Sequence, residues 1–266
     1  MKHARKSIAL TALACALGLG LTGCGGGGGD SDTSNPTAPS VRSTAEGAWC
    51  VTGSSDAVKL FTLLDDGSAW GFYGKGNCIS GFTELGGIYH GTYTADGHNV
   101  SITGTQFDIT AATASSANFS GTVLPKGPLS LTQDGTSYPT FSGLYRTAYD
   151  TPASLSSLAG RYSGGGFITI STYDVFNSDL TVSGSTVNIP ADANGCSASG
   201  TVTPHKTAHG TVNLFDLSLQ FSGANCELGN GAIVTGIVFQ NDSNTEFQAL
   251  AFTPDEKGFF FVGARQ

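Results

Sequence analysis

The chain has 266 residues, 39% of them hydrophobic and 12% charged, with 12 Lys and Arg against 20 Asp and Glu and with 38 glycines. The net charge of −8 disfavours nucleic acid as a partner, because nucleic acid is gripped through clustered Lys and Arg. So few charges leave a surface of Ser, Thr, Asn and Gly, and so many glycines leave little room for long helices.

The chain opens MKHARKS, with Lys2, Arg5 and Lys6 and no acid before Asp30. Residues 8–21 are apolar apart from Gly and Thr, and 14 residues are too few for a hydrocarbon core that asks for about 20. A basic start, a short greasy middle and small residues at its end predict an export signal over residues 1–23 rather than a spanning helix. Leu21-Thr22-Gly23-Cys24 resembles the lipobox of bacterial lipoproteins. That resemblance implies cleavage before Cys24, a diacylglyceryl group on its thiol, and acylation of the new amine. Acyl chains contribute about 0.8 kcal/mol per buried methylene, so several of them make a firm anchor. The sorting rule of the same class retains at the inner membrane those with Asp after the cysteine. Gly25 stands there, so the resemblance places the protein at the outer membrane of a Gram-negative cell, on either face.

Losing residues 1–23 removes three bases and no acid, leaving 9 against 20 and a net charge of −11. Residues 25–46 hold five successive glycines and then mostly Ser, Thr, Pro and Asp, with little to bury. With lipidated Cys24 they form a disordered tether with an average span of about 26 Å. Cys15 leaves with the signal, so Cys50, Cys78, Cys196 and Cys226 remain for disulfides, in any of three pairings. Local pairing, Cys50 with Cys78 and Cys196 with Cys226, keeps each bridge within one half of the domain. Each would contribute about 3–4 kcal/mol by loop entropy.

From residue 47 onward short alternating runs follow one another: NVSITG (99–104), GPLSLTQ (127–133), FDLSLQF (215–221) and TEFQALAF (245–252). Alternation of apolar and polar side chains marks half-buried strands, and Asp66-Gly67, Asp96-Gly97 and Asp134-Gly135 suit tight turns between them. The predicted fold is all-β, an antiparallel meander forming one or two barrel-like or sandwich units with an internal duplication and a short connecting helix. SITGTQFDI at Ser101 matches TVSGSTVNI at Thr181, SGTVLPK at Ser120 matches SGTVTPHK at Ser199, and FSG recurs at 141 and 221, at offsets of 80, 79 and 80. Residues 47–149 therefore form the first unit, 150–160 a helical connector and 161–266 the second unit. In the connector, Asp150 or Thr151 can cap a helix, Pro152 suits its first turn, and Leu155 and Leu158 would face the sheets. Such a helix would link two small barrels or plug one larger barrel. Gly47-Ala48-Trp49, with Arg265 near the end, resembles the first-strand G-x-W and last-strand Arg of lipocalin- and avidin-type barrels. The second copy has Arg161 and Tyr162 in place of the motif's second and third residues.

Catalytic signatures are missing from the sequence: there is no G-x-S-x-G, no H-E-x-x-H and no G-x-x-x-x-G-K-[ST]. His205 and His209 in PHKTAH read as solvated residues of a hairpin loop, and DAN (192–194) and NDSNTE (241–246) as turn formers, so no metal or cofactor is expected. The residues worth following are aromatic. Trp70, Phe72 and Tyr73 in SAWGFYG, with Tyr89, His90 and Tyr93 in GIYHGTY, would line a ligand platform if the faces of their two strands meet. Otherwise Trp70 and Phe72 are core. The function expected is a non-catalytic binding module for a small ligand, a glycan or a protein. A structural envelope lipoprotein without a pocket is the alternative, and an enzyme comes third.

Overall fold

The computed structural model describes residues 45–52, 57–77, 81–109, 111, 113–136, 141–169 and 173–266. Cys24, the signal, the tether up to residue 44, and Cys78 lie outside the described residues. Ala45 and Glu46, expected in the tether, are instead buried, Ala45 in the first barrel's core and Glu46 accepting from the Tyr149 hydroxyl. All the described residues fall in one compact unit. No helix among them is long and apolar enough to cross a membrane.

The first barrel is built from β1 (Gly47–Thr52), β2 (Ala57–Leu63), β3 (Ser68–Asn77), β4 (Gly81–Asp96), β5 (Asn99–Asp108), β6 (Thr113–Ser116), β7 (Phe119–Val123), β8 (Leu129–Gln133) and β9 (Phe141–Tyr145). Neighbours are antiparallel, β4 pairs with both β3 and β5, and β9 returns to β1 with Trp49 opposite Tyr145. Eight strands thus close a ring. The ninth, β6, lies beside the far half of β5, while β7 takes the near half. Gly67, Gly97 and Gly135 have positive φ, as their Asp-Gly turns require. Trp49, Phe61, Leu63, Tyr89, Tyr93, Ile102 and Leu131 fill the interior.

A 3₁₀ turn, Thr147–Asp150, and a single helical turn, α1 (Leu155–Leu158), lead to the second barrel. Its strands are β10 (Gly160–Thr169), β11 (Tyr173–Ser183), β12 (Thr186–Ile189), β13 (Ser197–Thr207), β14 (Gly210–Ser222), β15 (Ile233–Gln240), β16 (Glu246–Phe252) and β17 (Gly258–Arg265). They form a plain meander closed by β10 against β17. Leu158 of α1 joins the second barrel's core, so the connector covers an end of that barrel. The cap differs from the sequence expectation. Ser154 holds the N-cap position, and the Asp150 carboxylate accepts instead from Lys126 and the Tyr145 hydroxyl, both at 2.9 Å.

The duplication lies at the level of whole barrels, with offsets other than 80. TVSGSTVNI spans the β11–β12 turn, whereas SITGTQFDI belongs to β5 alone. SGTV falls on the seventh strand of the chain in one copy and on the fourth strand of the second barrel in the other. Polar alternating strands resemble one another whatever their place in the ring, which makes such matches easy. The equivalence that geometry supports joins Gly47-Ala48-Trp49 to Gly160-Arg161-Tyr162 and Phe141-Ser142-Gly143-Leu144-Tyr145 to Phe261-Val262-Gly263-Ala264-Arg265. Trp49 pairs with Tyr145 as Tyr162 pairs with Arg265. Gly143 and Gly263 each admit the ring two residues earlier: an added Cβ would stand 2.5 Å from Phe141 and 2.7 Å from Phe261, and 3.1 Å from the Cβ of Trp49 or Tyr162.

The two barrels lie side by side and share a third core. Trp70, Phe72 and Ile88 on the outside of the first meet Phe239, Phe252 and Phe260 on the outside of the second. Phe72 packs edge-on at 5.1 Å from Phe239 and 5.5 Å from Phe260. Polar ties flank this seam: Arg146 to Asp242, the Ala208 amide to Asp65 at 2.8 Å, and the Ala153 amide to the Val212 carbonyl at 3.1 Å. In the second barrel Cys196 is bonded to Cys226.

Candidate functional site

Beside the seam the barrels diverge and leave a cleft of about 750 Å³. Its aromatic wall begins at β3 and β4. Trp70 and His90 are cross-strand partners, so both point out of the first barrel, and their rings lie 4.4 Å apart. His90 stacks on Phe252 of β16 at 4.5 Å and 20°. The Trp70 indole N–H donates to Ser68 Oγ at 2.9 Å, and His90 Nδ1 lies 3.4 Å from Glu256.

The opposite wall comes from β13 to β15, whose outward positions carry Thr201, Thr203, Ser218 and Thr235. His205 continues the outward face of Thr201 and Thr203, and the β13–β14 register shifts beside it, between Pro204 and Lys206, with the extra residues on β14. The imidazole is 8% exposed rather than solvated. Its Nδ1 is 2.6 Å from Asp216 Oδ1, and its Nε2 is 3.9 Å from Asp65 Oδ1 with no hydrogen-bond partner. Burial alone depresses the pKa of His205, but the Asp216 hydrogen bond and charge, with Asp65 and Asp66 beyond, outweigh it and hold the value above the ordinary one. The loop expectation fails for His205 because its acids come from elsewhere in the chain. Asp216 arrives on the paired strand and Asp65 from the first barrel.

Asp66, Asp216 and Glu256 line the cleft, and no Lys or Arg among the described residues does. Nor do the described residues include three or more His, Cys, Asp or Glu placed to share a metal ion. Asp192 serves its own turn, accepting from the amides of Asn194 and Cys196.

The five aromatic candidates do not form one platform. Trp70 and Phe72 face out of the first barrel, and Trp70 alone of the five lines the cleft while Phe72 seals the seam. Tyr89 is opposite Gly71 and turns inward with Tyr93, whose hydroxyl donates to the Leu64 carbonyl at 2.7 Å. Tyr73 is half-buried, its oxygen 3.0 Å from the Gln106 amide that donates to it and 3.3 Å from Asp108. Burial and then the Asp108 charge push its pKa up to about 12. A second hollow of about 150 Å³, lined by Phe61, Tyr73, Tyr89, Gln106, Phe119 and Phe141 among others, opens into the first barrel. The Tyr89 hydroxyl has no hydrogen-bond partner, and burial raises its pKa far above the ordinary phenol value.

Sequence reasoning passed over Phe252 and Asp216 and misplaced His205. The one local signal was Pro204 within a strand-like run, since proline in a strand is confined to edges and bulges.

No protein-family model and no curated protein matches the chain. Among solved structures, a redesigned β-barrel is similar at 18% identity and TM-score 0.32, covering 44% of this chain and 98% of its own. A protein of unknown function from the DUF3598 family of Nostoc punctiforme is similar at 9% identity and TM-score 0.31, covering 84% of this chain and 97% of its own. At these scores neither likeness carries an argument.

Proposed function

We propose that this protein is a lipoprotein of the outer membrane, held by acylated Cys24 and lifted off the headgroups by residues 25–44, and that its folded part is a non-catalytic binding module for a small ligand. The observation that carries the reading is the inter-barrel cleft, about 750 Å³ in volume, with three rings in mutual contact on one wall and a buried, partly unsatisfied His205 on the other. Ligand pockets fall in this size range, favour junctions between domains, and join an apolar wall to a few polar groups. Binding rather than catalysis fits the surroundings of His205, because no hydroxyl or thiol among the described residues lies within hydrogen-bond reach of Nε2.

Native mass spectrometry of the mature lipoprotein in detergent tests the reading. A discrete added mass, lost when Trp70→Ala and Phe252→Ala strip the wall, is the expected result. A bare chain mass, with Trp70 emission unmoved by any ligand tried, would reject it. The anchor has its own test: Cys24→Ser should move the protein from the membrane to the soluble fraction, and continued membrane association would reject lipidation.

A further inference from the structure

The reading of the cleft as a binding site leaves open which ligand chemistry it selects, and the inference below rests on that reading. We propose that the cleft takes a protonated primary amine, with the ammonium lodged between His205 and Asp65 and the carbon body lying along Trp70, His90 and Phe252.

His205 carries the argument. Its side chain is 10% exposed and lines the cleft, yet Nε2 has no hydrogen-bond partner. Buried polar atoms in folded proteins are almost always satisfied, so an orphan on a side chain that lines a cavity marks where a ligand atom belongs. The tautomer follows from the other nitrogen. With Nδ1–H donated to Asp216 at 2.6 Å, the neutral ring presents a lone pair at Nε2.

Asp65 supplies the second acceptor. Its Oδ2 takes the Ala208 amide at 2.8 Å, which fixes the carboxylate and leaves Oδ1 turned to Nε2 at 3.9 Å. That gap is too wide for a hydrogen bond between the two, but one nitrogen at about 2.8 Å from each bridges it. Two adjacent acceptors ask for a group with two N–H donors. A primary ammonium offers three, and a quaternary one offers none.

The charge around the pair agrees. Asp66, Asp216 and Glu256 line the cleft without a Lys or Arg, so an anion is repelled and a neutral polyol leaves the field unused. The aromatic wall then accepts both the apolar body and, through its ring faces, part of the positive charge.

Titration calorimetry on the mature lipoprotein in detergent separates the possibilities with three probes of one shape: 2-phenylethylamine, its neutral analogue 2-phenylethanol, and its trimethylated quaternary analogue. The amine should bind one to one, at least tenfold tighter than either analogue. Asp65→Asn should cost it tenfold or more, and Asp134→Asn, in an exposed turn, nothing. Equal binding of the three probes, or no binding of the amine at millimolar concentration, overturns the proposal without any variant having to fold. A glycan or other neutral compound that shifts Trp70 emission would overturn the amine and leave the cleft reading standing. A bare native mass together with unmoved Trp70 emission removes both.

Discussion

The two barrels share a closing geometry and fill it with different chemistry. In the first, Trp49 meets Tyr145 edge-on at 5.8 Å, and the indole N–H donates to the Gly127 carbonyl in the β7–β8 turn at 2.8 Å. In the second, Tyr162 meets Arg265, whose guanidinium lies 5.0 Å from the ring centre, donates to the Tyr162 hydroxyl at 2.6 Å, and also reaches the carbonyls of Ser157 and Ala159. What lies over the barrel end explains the difference. The first offers one turn carbonyl, which a single indole donor satisfies. The second is covered by α1, whose last carbonyls have no partner within so short a helix, and a forked cation at a helix C-terminus satisfies several together.

Removing the Cys196–Cys226 bridge tests how far the second barrel depends on links of its own. Replacing both cysteines with Ser should destabilise it by about 3–4 kcal/mol through the freed loop entropy. In hydrogen exchange followed by mass spectrometry, peptides from β10 to β17 should lose protection well before those from β1 to β9. Equal loss in both barrels would mean that the shared seam, not each closed ring, is the cooperative unit.

Arg265→Met comes next. It takes a donor from the Tyr162 hydroxyl and from the Ala159 carbonyl, at a cost of about 2–3 kcal/mol, while the Ser157 carbonyl keeps the Gln240 amide at 3.1 Å. The matching change at the equivalent position of the first barrel, Tyr145→Phe, removes the hydroxyl's bond to Asp150 and should cost about 1 kcal/mol. Chemical denaturation of both variants gives the ratio. Similar losses would show that the guanidinium adds nothing beyond its packing.

How much of this comparison the sequence disclosed depends on the range of the interaction. Period-2 alternation and Asp-Gly turns are local, so strands and hairpins were legible, and Gly47-Ala48-Trp49 marked a first barrel strand before any pairing was known. Which face each aromatic takes was not local. Tyr89 points inward because register sets it opposite Gly71, whose missing side chain leaves it room, with only 3.3 Å between an added Cβ and the Tyr89 Cβ. A register shifted by one residue would have placed Tyr89 beside Trp70 and Phe72. The cleft was less legible still. Asp65 meets Ala208 across 143 residues and His90 meets Glu256 across 166. No spacing rule connects positions that only the packing of two closed barrels brings together.

The smallest expected effect lies where the barrels touch, at His205, and concerns pH. Asp216, Asp65 and Asp66 hold its folded pKa above the ordinary value despite burial, so the folded state binds the imidazole proton more tightly than the unfolded chain does. The resulting stabilisation is complete below the unfolded pKa, about 6.5, and is lost as pH rises through the higher folded value. The Tm difference between the native protein and His205→Gln should therefore be largest near pH 5.5 and shrink toward alkaline pH. A difference that grows with pH would mean burial outweighs the acids and the imidazole is held neutral. The same proton competes with an ammonium for Nε2, so an amine that binds there should bind more weakly at pH 5.5 than at pH 8, where the lone pair is free and the barrels have lost that part of their tie.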